Sequence, residues 1–265
     1  MEQRAFAGKS VLITGASRGI GSAMALQLAE QGAWLTLAAR GTEELEHVAA
    51  SCRQRGARSI AVSADVSREA DCKLLVARAV AEYGRLDVLI SNAGLGLIAR
   101  FEDLPSPSAM ETVMAVDFWG SVYCIYHALP HLRESRGRIV AVVSGTGKLP
   151  APGASGYSAA KHALAAFVGA LRIELQDSGI TFTAAFPEWV ETGFTARAIT
   201  HDGTPSGAPS PHEKGAMTPE ECARQILKAA AERRREMISP KIKLGIILAQ
   251  FLPEVVDDIS VRVFT

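Results

Sequence analysis

Short apolar, β-branched runs alternate with helical patterns through the first 190 residues, and no other feature of the chain restricts its fold so tightly. The runs are Ser10 to Thr14, Trp34 to Ala38, Ser59 to Ser63, Val88 to Ser91, Arg138 to Val143 and Thr181 to Phe186. Helical spacing predicts helices at Ile20 to Glu30, Glu43 to Arg55, Arg68 to Tyr83, Ala109 to Arg133 and Tyr157 to Asp177. Strands joined through helices must run parallel, in a sheet covered on both faces. The expected fold class is α/β, a doubly wound parallel sheet in a single domain covering residues 1–265. Met237 to Ser239 offers a seventh strand after a helix from Pro219 to Arg235. The Gly/Pro/Ser-rich stretch within 194–217 reads as a mobile substrate loop, and a C-terminal extension begins near residue 240.

Charge narrows the partners. The chain has 28 Lys+Arg against 28 Asp+Glu, a net charge of zero, which argues against nucleic acid or anionic membrane surfaces. No apolar run reaches the roughly 18 to 20 residues of a membrane span. Cys52, Cys72, Cys124 and Cys222 form no CxxC pair, so a reduced, cytoplasmic, metal-free protein is expected. His127 and His131 are four apart, but Pro130 lies between them and no HExxH pattern accompanies them. Arg233-Arg234-Arg235, flanked by Glu232 and Glu236, reads as a solvated helix end.

The first run passes straight into Thr14-Gly15-Ala16-Ser17-Arg18-Gly19-Ile20-Gly21 and a helix. Strand, glycine turn and helix N-terminus make an anion site: Gly15 for the turn, Gly19 for close backbone approach, Gly21 for helix-on-strand packing. The same residues satisfy G-x-S-x-G, the hydrolase nucleophile elbow. That motif needs an earlier strand and loop for its oxyanion donor, and too little chain precedes Ser17.

Further motifs follow in register: Asp65-Val66 after the third run, Ser91-Asn92-Ala93-Gly94 after the fourth, Ser144 after the fifth, Tyr157-Ser158-Ala159-Ala160-Lys161, and Pro187-Glu188-Trp189-Val190-Glu191-Thr192. Taken together they resemble the short-chain dehydrogenase/reductase family, with its TGxxxGxG, NNAG, Ser, YxxxK and PGxVxT pattern. The likeness runs from Gly8 to about Ser239 and is strongest to NADP-dependent members that include hydroxysteroid dehydrogenases and carbonyl reductases. It implies a Rossmann-type fold and a dinucleotide held by Gly15, Ser17, Arg18, Gly19, Ile20 and Gly21. It puts Asp65 and Val66 on the adenine side, Asn92, Ala93 and Gly94 along the cofactor, and Pro187, Val190 and Thr192 at the nicotinamide. Assembly into a homodimer or homotetramer through helices near Phe118 to Leu129 and His162 to Leu175 is likewise implied.

Residue chemistry supports the same roles. Tyr157 and Lys161, at i and i+4, share one helix face. An ammonium about 4 Å from a phenol, at an effective dielectric near 20, is worth about 4 kcal/mol and favours the phenolate. Tyr157 is thus the expected acid/base, Lys161 the residue that lowers its pKa and binds ribose, and Ser144 the donor that polarises a carbonyl. At the end of the second run the chain reads Ala38-Ala39-Arg40, with no carboxylate for a free ribose hydroxyl. Arg18 and Arg40 therefore point to NADP(H).

Three positions depart from the family pattern. Asp117 stands where the family has the Asn of its proton relay; it can accept hydrogen bonds but, ionised, cannot donate an amide N–H. Glu188 replaces a Gly, and Ser91 an Asn. With Trp189, Glu188 is expected to line a pocket for a bulky, mainly apolar carbonyl or alcohol. The expected activity is NADP(H)-linked hydride transfer; an NADP(H)-binding sensor or scaffold with little turnover is the alternative.

Overall fold

The computed structural model describes residues 5–264, and side-chain surroundings through residue 263. Seven parallel strands form one sheet in the order β3-β2-β1-β4-β5-β6-β7. They are β1 Ser10–Thr14, β2 Trp34–Ala39, β3 Arg58–Ser63, β4 Val88–Ser91, β5 Arg138–Val142, β6 Thr181–Phe186 and β7 Glu236–Ile238. β1 is the switch point: it pairs with β2 on one side and with β4 on the other, so the crossovers diverge and leave a crevice at its carboxyl end.

The crossover helices are α1 Gly19–Glu30, α2 Thr42–Gln54, α3 Glu69–Tyr83, α4 Ser108–Met114, α5 Gly120–Ser135 and α6 Ser155–Glu174. After β6 come α7 Phe194–Arg197, α8 Pro219–Ala231, α9 Pro240–Phe251 and α10 Pro253–Phe264. Each sheet face is buried under its own apolar layer. Val11, Ile13, Leu35 and Leu37 pack against α1, α2 and α8, and Leu12, Leu89, Ile139 and Phe182 against α3, α5 and α6. Such residues contribute roughly 1.5–3 kcal/mol each when fully buried.

Two expectations change. The helix read over Ala109 to Arg133 is interrupted: Ala115–Trp119 form a π-helical turn between α4 and α5. An extra residue in the helix re-aims the Asp117 side chain toward the sheet, where it is fully buried. Helical periodicity does not register one such residue. The helix read to Arg235 stops at Ala231, with Arg233 at φ +54, because the chain must turn there into β7. The arginine run is solvated as expected, with Arg234 on Glu232 and Arg235 near Glu236.

Candidate active site

The glycine turn is locked to β4 from below. Asn92 Nδ2 donates to the carbonyls of Thr14 (3.0 Å) and Gly15 (3.1 Å), while Thr14 Oγ1 accepts from the backbone N–H groups of Asn92 and Ala93. A Cβ on Gly21 would lie 2.2 Å from the Gly15 carbonyl oxygen, and one on Gly15 would lie 2.8 Å from Ala93 Cα. Gly15 and Gly19 also hold φ of +65° and +57°. The first turn of α1 has neither a side-chain cap nor an acidic residue, so its N–H groups are open to an anion. These residues fit a dinucleotide pyrophosphate.

Where the adenine is expected, Asp65 Oδ1 accepts from Ser67 N and Oγ, fixing the turn after β3, and Val66 is buried beneath Gly120. Arg40 is exposed. Arg18 is not free: its guanidinium pairs with Glu44 at 2.9 Å. Glu44 comes from the first turn of α2, so a second strand that ends without a carboxylate does not reveal it. Both partners are about half exposed, so the pair is weak and open to displacement.

The catalytic candidates meet at the carboxyl ends of β4 and β5. Ser144 Oγ accepts from Thr146 N (3.2 Å) and Thr146 Oγ1 (3.0 Å), so its own proton is left for Tyr157 or a carbonyl. Thr146 was missed in the sequence, where a Thr two residues from the motif Ser carries no distinguishing signal. Lys161 Nζ lies 2.8 Å from Asp117 Oδ1, in a contact that is an ion pair rather than a well-aligned hydrogen bond. The ammonium also donates to the Val142 carbonyl at 3.3 Å and sits 5.6 Å from the centre of the Tyr157 ring. Asp117 Oδ2 accepts from Leu95 N at 2.8 Å, just beyond Gly94, and its carbonyl receives a long bond from Ser121 Oγ, itself bonded by Ser91. Asp117 thus ties the π-turn to the β4 loop by acceptance alone, and the substituted Ser91 completes the chain.

This pair reverses one expectation. Burial raises the Tyr157 pKa, Lys161 and Ser144 pull it back, and Asp117 pushes it up again, leaving it above the usual phenol value. Lys161 does not produce a net lowering because burial of the phenol outweighs its field, and Asp117 adds to the rise. Burial presses the Lys161 ammonium toward its neutral form, but Asp117 and Tyr157 outweigh that and hold its pKa above the ordinary value. Burial raises the pKa of Asp117, against the opposing pull of Lys161.

The expected substrate loop is anchored along its length. Thr192 packs over Gly19, and a β-bridge joins Val190 to Met217. Glu213, buried, accepts from Gly193 N and Thr195 N at 2.9 Å each and from the Thr195 hydroxyl. A second bridge joins Ile199 to Leu97. Trp189 stacks on His212 with ring centroids 5.2 Å apart, half-buried rather than in the core, and Glu188 beside it is half-buried too. Phe194 leans on the Tyr157 ring at 5.7 Å. Pro187 fixes the loop after β5 by accepting from Gly145 N. An open hollow of about 370 Å³ lies at the start of α6, lined by Phe101, Ala151, Pro152 and Ser155.

His127 contacts Glu69 at 3.3 Å, and no group of three or more metal-binding side chains occurs among the described residues. No helix among the described residues is long and apolar enough to cross a membrane.

A sheet with this switch point, a glycine turn and a Ser/Tyr/Lys set define a nicotinamide-dependent oxidoreductase class. The short chain dehydrogenase family profile matches residues 9–202, and the chain belongs to that family. It is 39% identical over 258 residues to an 11-beta-hydroxysteroid dehydrogenase of Pinus massoniana, covering 94% of this chain and 72% of that one. It is 38% identical over 256 residues to an 11-beta-hydroxysteroid dehydrogenase-like protein of Arabidopsis thaliana, covering 94% and 80%. Among solved structures it resembles a Thermococcus sibiricus alcohol dehydrogenase complexed with 5-hydroxy-NADP (TM-score 0.75, 30% identity, 87% and 94% covered). A Burkholderia phymatum short chain dehydrogenase/reductase in complex with NAD also matches (TM-score 0.84, 25% identity, 95% and 96% covered).

Proposed function

We propose that this chain interconverts a bulky, mainly apolar alcohol and its ketone or aldehyde, using NADP(H). The observation that carries the reading is the convergence of Ser144, Tyr157 and Lys161 at the carboxyl end of β5, beside the open N-terminus of α1. A bound nicotinamide supplies the hydride for reduction and accepts it in oxidation. Tyr157 gives its phenolic proton to the carbonyl oxygen in reduction and takes one from the hydroxyl in oxidation. Ser144, held by Thr146, donates to that same oxygen. Lys161 steadies the phenolate and holds the ribose; Asp117 fixes the ammonium in place.

For the cofactor, Arg18 and Arg40 suit a 2′-phosphate, with Glu44 as the group that phosphate must displace. For the substrate, Trp189, Phe194 and Phe101 supply apolar walls, and the hydroxysteroid dehydrogenase names of its relatives agree with a large apolar skeleton. Movement of 194–217 over the bound substrate is part of the proposal, with the Glu213 anchor as its pivot. The Lys161–Asp117 pair favours one second reading, a dinucleotide-binding sensor with little turnover. NADPH oxidation across a panel of steroid ketones, aldehydes and quinones tests both, with Tyr157→Phe as control. Tyr157-dependent turnover of at least one apolar carbonyl is expected; tight NADPH binding with no turnover on any of them selects the sensor.

A further inference from the structure

The chain leaving β6 crosses the glycine turn before it enters α7. Thr192 lies against Gly19, where a Cβ would come within 3.1 Å of Thr192 Cγ2, and Phe194 N donates to Thr192 Oγ1 at 3.2 Å. Arg197, the last residue of α7, folds back onto this bend. Its Nη2 donates to the Thr192 carbonyl at 3.0 Å, and a Cβ on Gly193 would lie 3.1 Å from its Nη1. Gly193 holds φ +63°, which lets the chain double back so tightly. An exposed guanidinium is thereby fixed beside the residue that touches Gly19, and the fixing uses one of its five N–H donors.

Its charge is uncompensated. Arg18, in the glycine turn itself, has Glu44 as a partner, whereas Arg197 forms no ion pair among the described residues. Burial and then the charge of Arg18 press the Arg197 pKa below its ordinary value, and Glu213 opposes them. The first turns of α1 and α7 bring no acidic residue to the bend. Two guanidiniums that feel one another beside open helical N–H groups lack an anion, and a phosphate oxygen is what a guanidinium binds best. The other end of α7 reaches the chemistry. Phe194 leans on the Tyr157 ring, centroids 5.7 Å apart, and packs so close to Gly96 that a Cβ there would lie 2.9 Å from Phe194 Cε1. Because α7 is a single turn of four residues, whatever holds Arg197 also holds Phe194.

We propose that Arg197 is a pyrophosphate ligand carried by the substrate loop, and that the cofactor, by engaging it, seats Phe194 against Tyr157. The inference rests on the reading of the crevice at α1 as a dinucleotide site. In that reading Arg18 and Arg40 serve a 2′-phosphate that only NADP(H) has. Arg197 serves a group that both nicotinamide dinucleotides share, so its loss should weaken NADPH and NADH alike.

Fluorescence titration of the full chain with NADPH and with NADH tests it. Arg197→Gln keeps a donor for the Thr192 carbonyl and removes the charge. It should weaken both cofactors by one common factor, about 5- to 20-fold for a charge-assisted contact screened by solvent. Arg197→Lys keeps the charge and should bind both more tightly than the Gln variant. Amide exchange at 194–198 should slow in the parent with NADPH alone, and should not slow in the Gln variant at saturating NADPH. Unchanged affinities in the Gln variant, a loss confined to NADPH, a Lys variant no better than Gln, or exchange in the parent that ignores NADPH overturns the proposal and leaves the dinucleotide site standing. A parent that binds neither cofactor overturns both.

Discussion

Lys161 Nζ and Asp117 Oδ1 lie 2.8 Å apart with side chains 3% and 0% exposed, so the ammonium beside Tyr157 already has a buried counter-charge. That relationship separates this site from one in which the lysine's field acts on the phenol alone; burial first, and Asp117 with it, raises the Tyr157 pKa.

Because burial holds the Tyr157 pKa above the ordinary phenol value, its protonated form, the proposed acid for reduction, should persist across neutral and mildly alkaline pH. Carbonyl reduction should be flat there and fall only at strongly alkaline pH. Alcohol oxidation needs the phenolate and should climb with pH throughout. Initial rates in both directions from pH 6 to 10.5 check this; an oxidation rate that levels off near neutrality would contradict the raised pKa.

Asp117→Asn should stay folded, since the amide oxygen still accepts from Leu95 N, and should raise activity or change it little. Removing the carboxylate removes one cause of the raised Tyr157 pKa, so the rising limb of oxidation should move to lower pH. Asp117→Ala, which leaves the Leu95 N–H without an acceptor, should lose about 1–3 kcal/mol of stability more. A folded Asn variant with a hundredfold loss of turnover would instead give Asp117 its own part in catalysis.

Tyr157→Phe should lower turnover by about 100- to 10,000-fold while leaving NADPH affinity within a few-fold, because the ring is kept and only the hydroxyl is lost. Fluorescence titration beside steady-state rates separates the two effects.

Arg18→Ala should weaken NADPH binding by roughly 10- to 100-fold and NADH much less, since one charge-assisted bond is worth about 1.5–3 kcal/mol. Glu44→Gln should tighten NADPH by freeing Arg18, and Arg40→Asp should reduce or reverse the preference. Equal dissociation constants for the two cofactors in the unmodified protein would remove the basis for NADP(H).

Glu213→Ala should loosen the segment 193–217, taking away the acceptor of Gly193 N, Thr195 N and the Thr195 hydroxyl. Faster amide exchange there and a raised KM for the carbonyl, with the NADPH dissociation constant little changed, are expected. Exchange in the parent should slow across the same segment when cofactor and substrate are both bound.

Local chemistry alone made most of the sheet legible. Central parallel strands buried on both faces are mainly apolar, so six strands could be read from their runs, with half-buried β7 offered only as a seventh at Met237 to Ser239, and glycines that no Cβ could replace marked the crevice at the end of β1. Tyr157 and Lys161 were legible because helix periodicity puts i and i+4 together whatever surrounds them. What depends on elements far apart in the chain was not: Glu44 reaching Arg18 from the next helix, Glu213 capping the chain at Gly193, and Thr146 holding Ser144. Above all, the sign of the Tyr157 shift was decided by tertiary structure. An i, i+4 ammonium predicts a lowered pKa, but burial and a carboxylate swung inward by the π-turn at Ala115–Trp119 are properties of the packed molecule, and in a poorly solvated interior they outweigh the nearest charge.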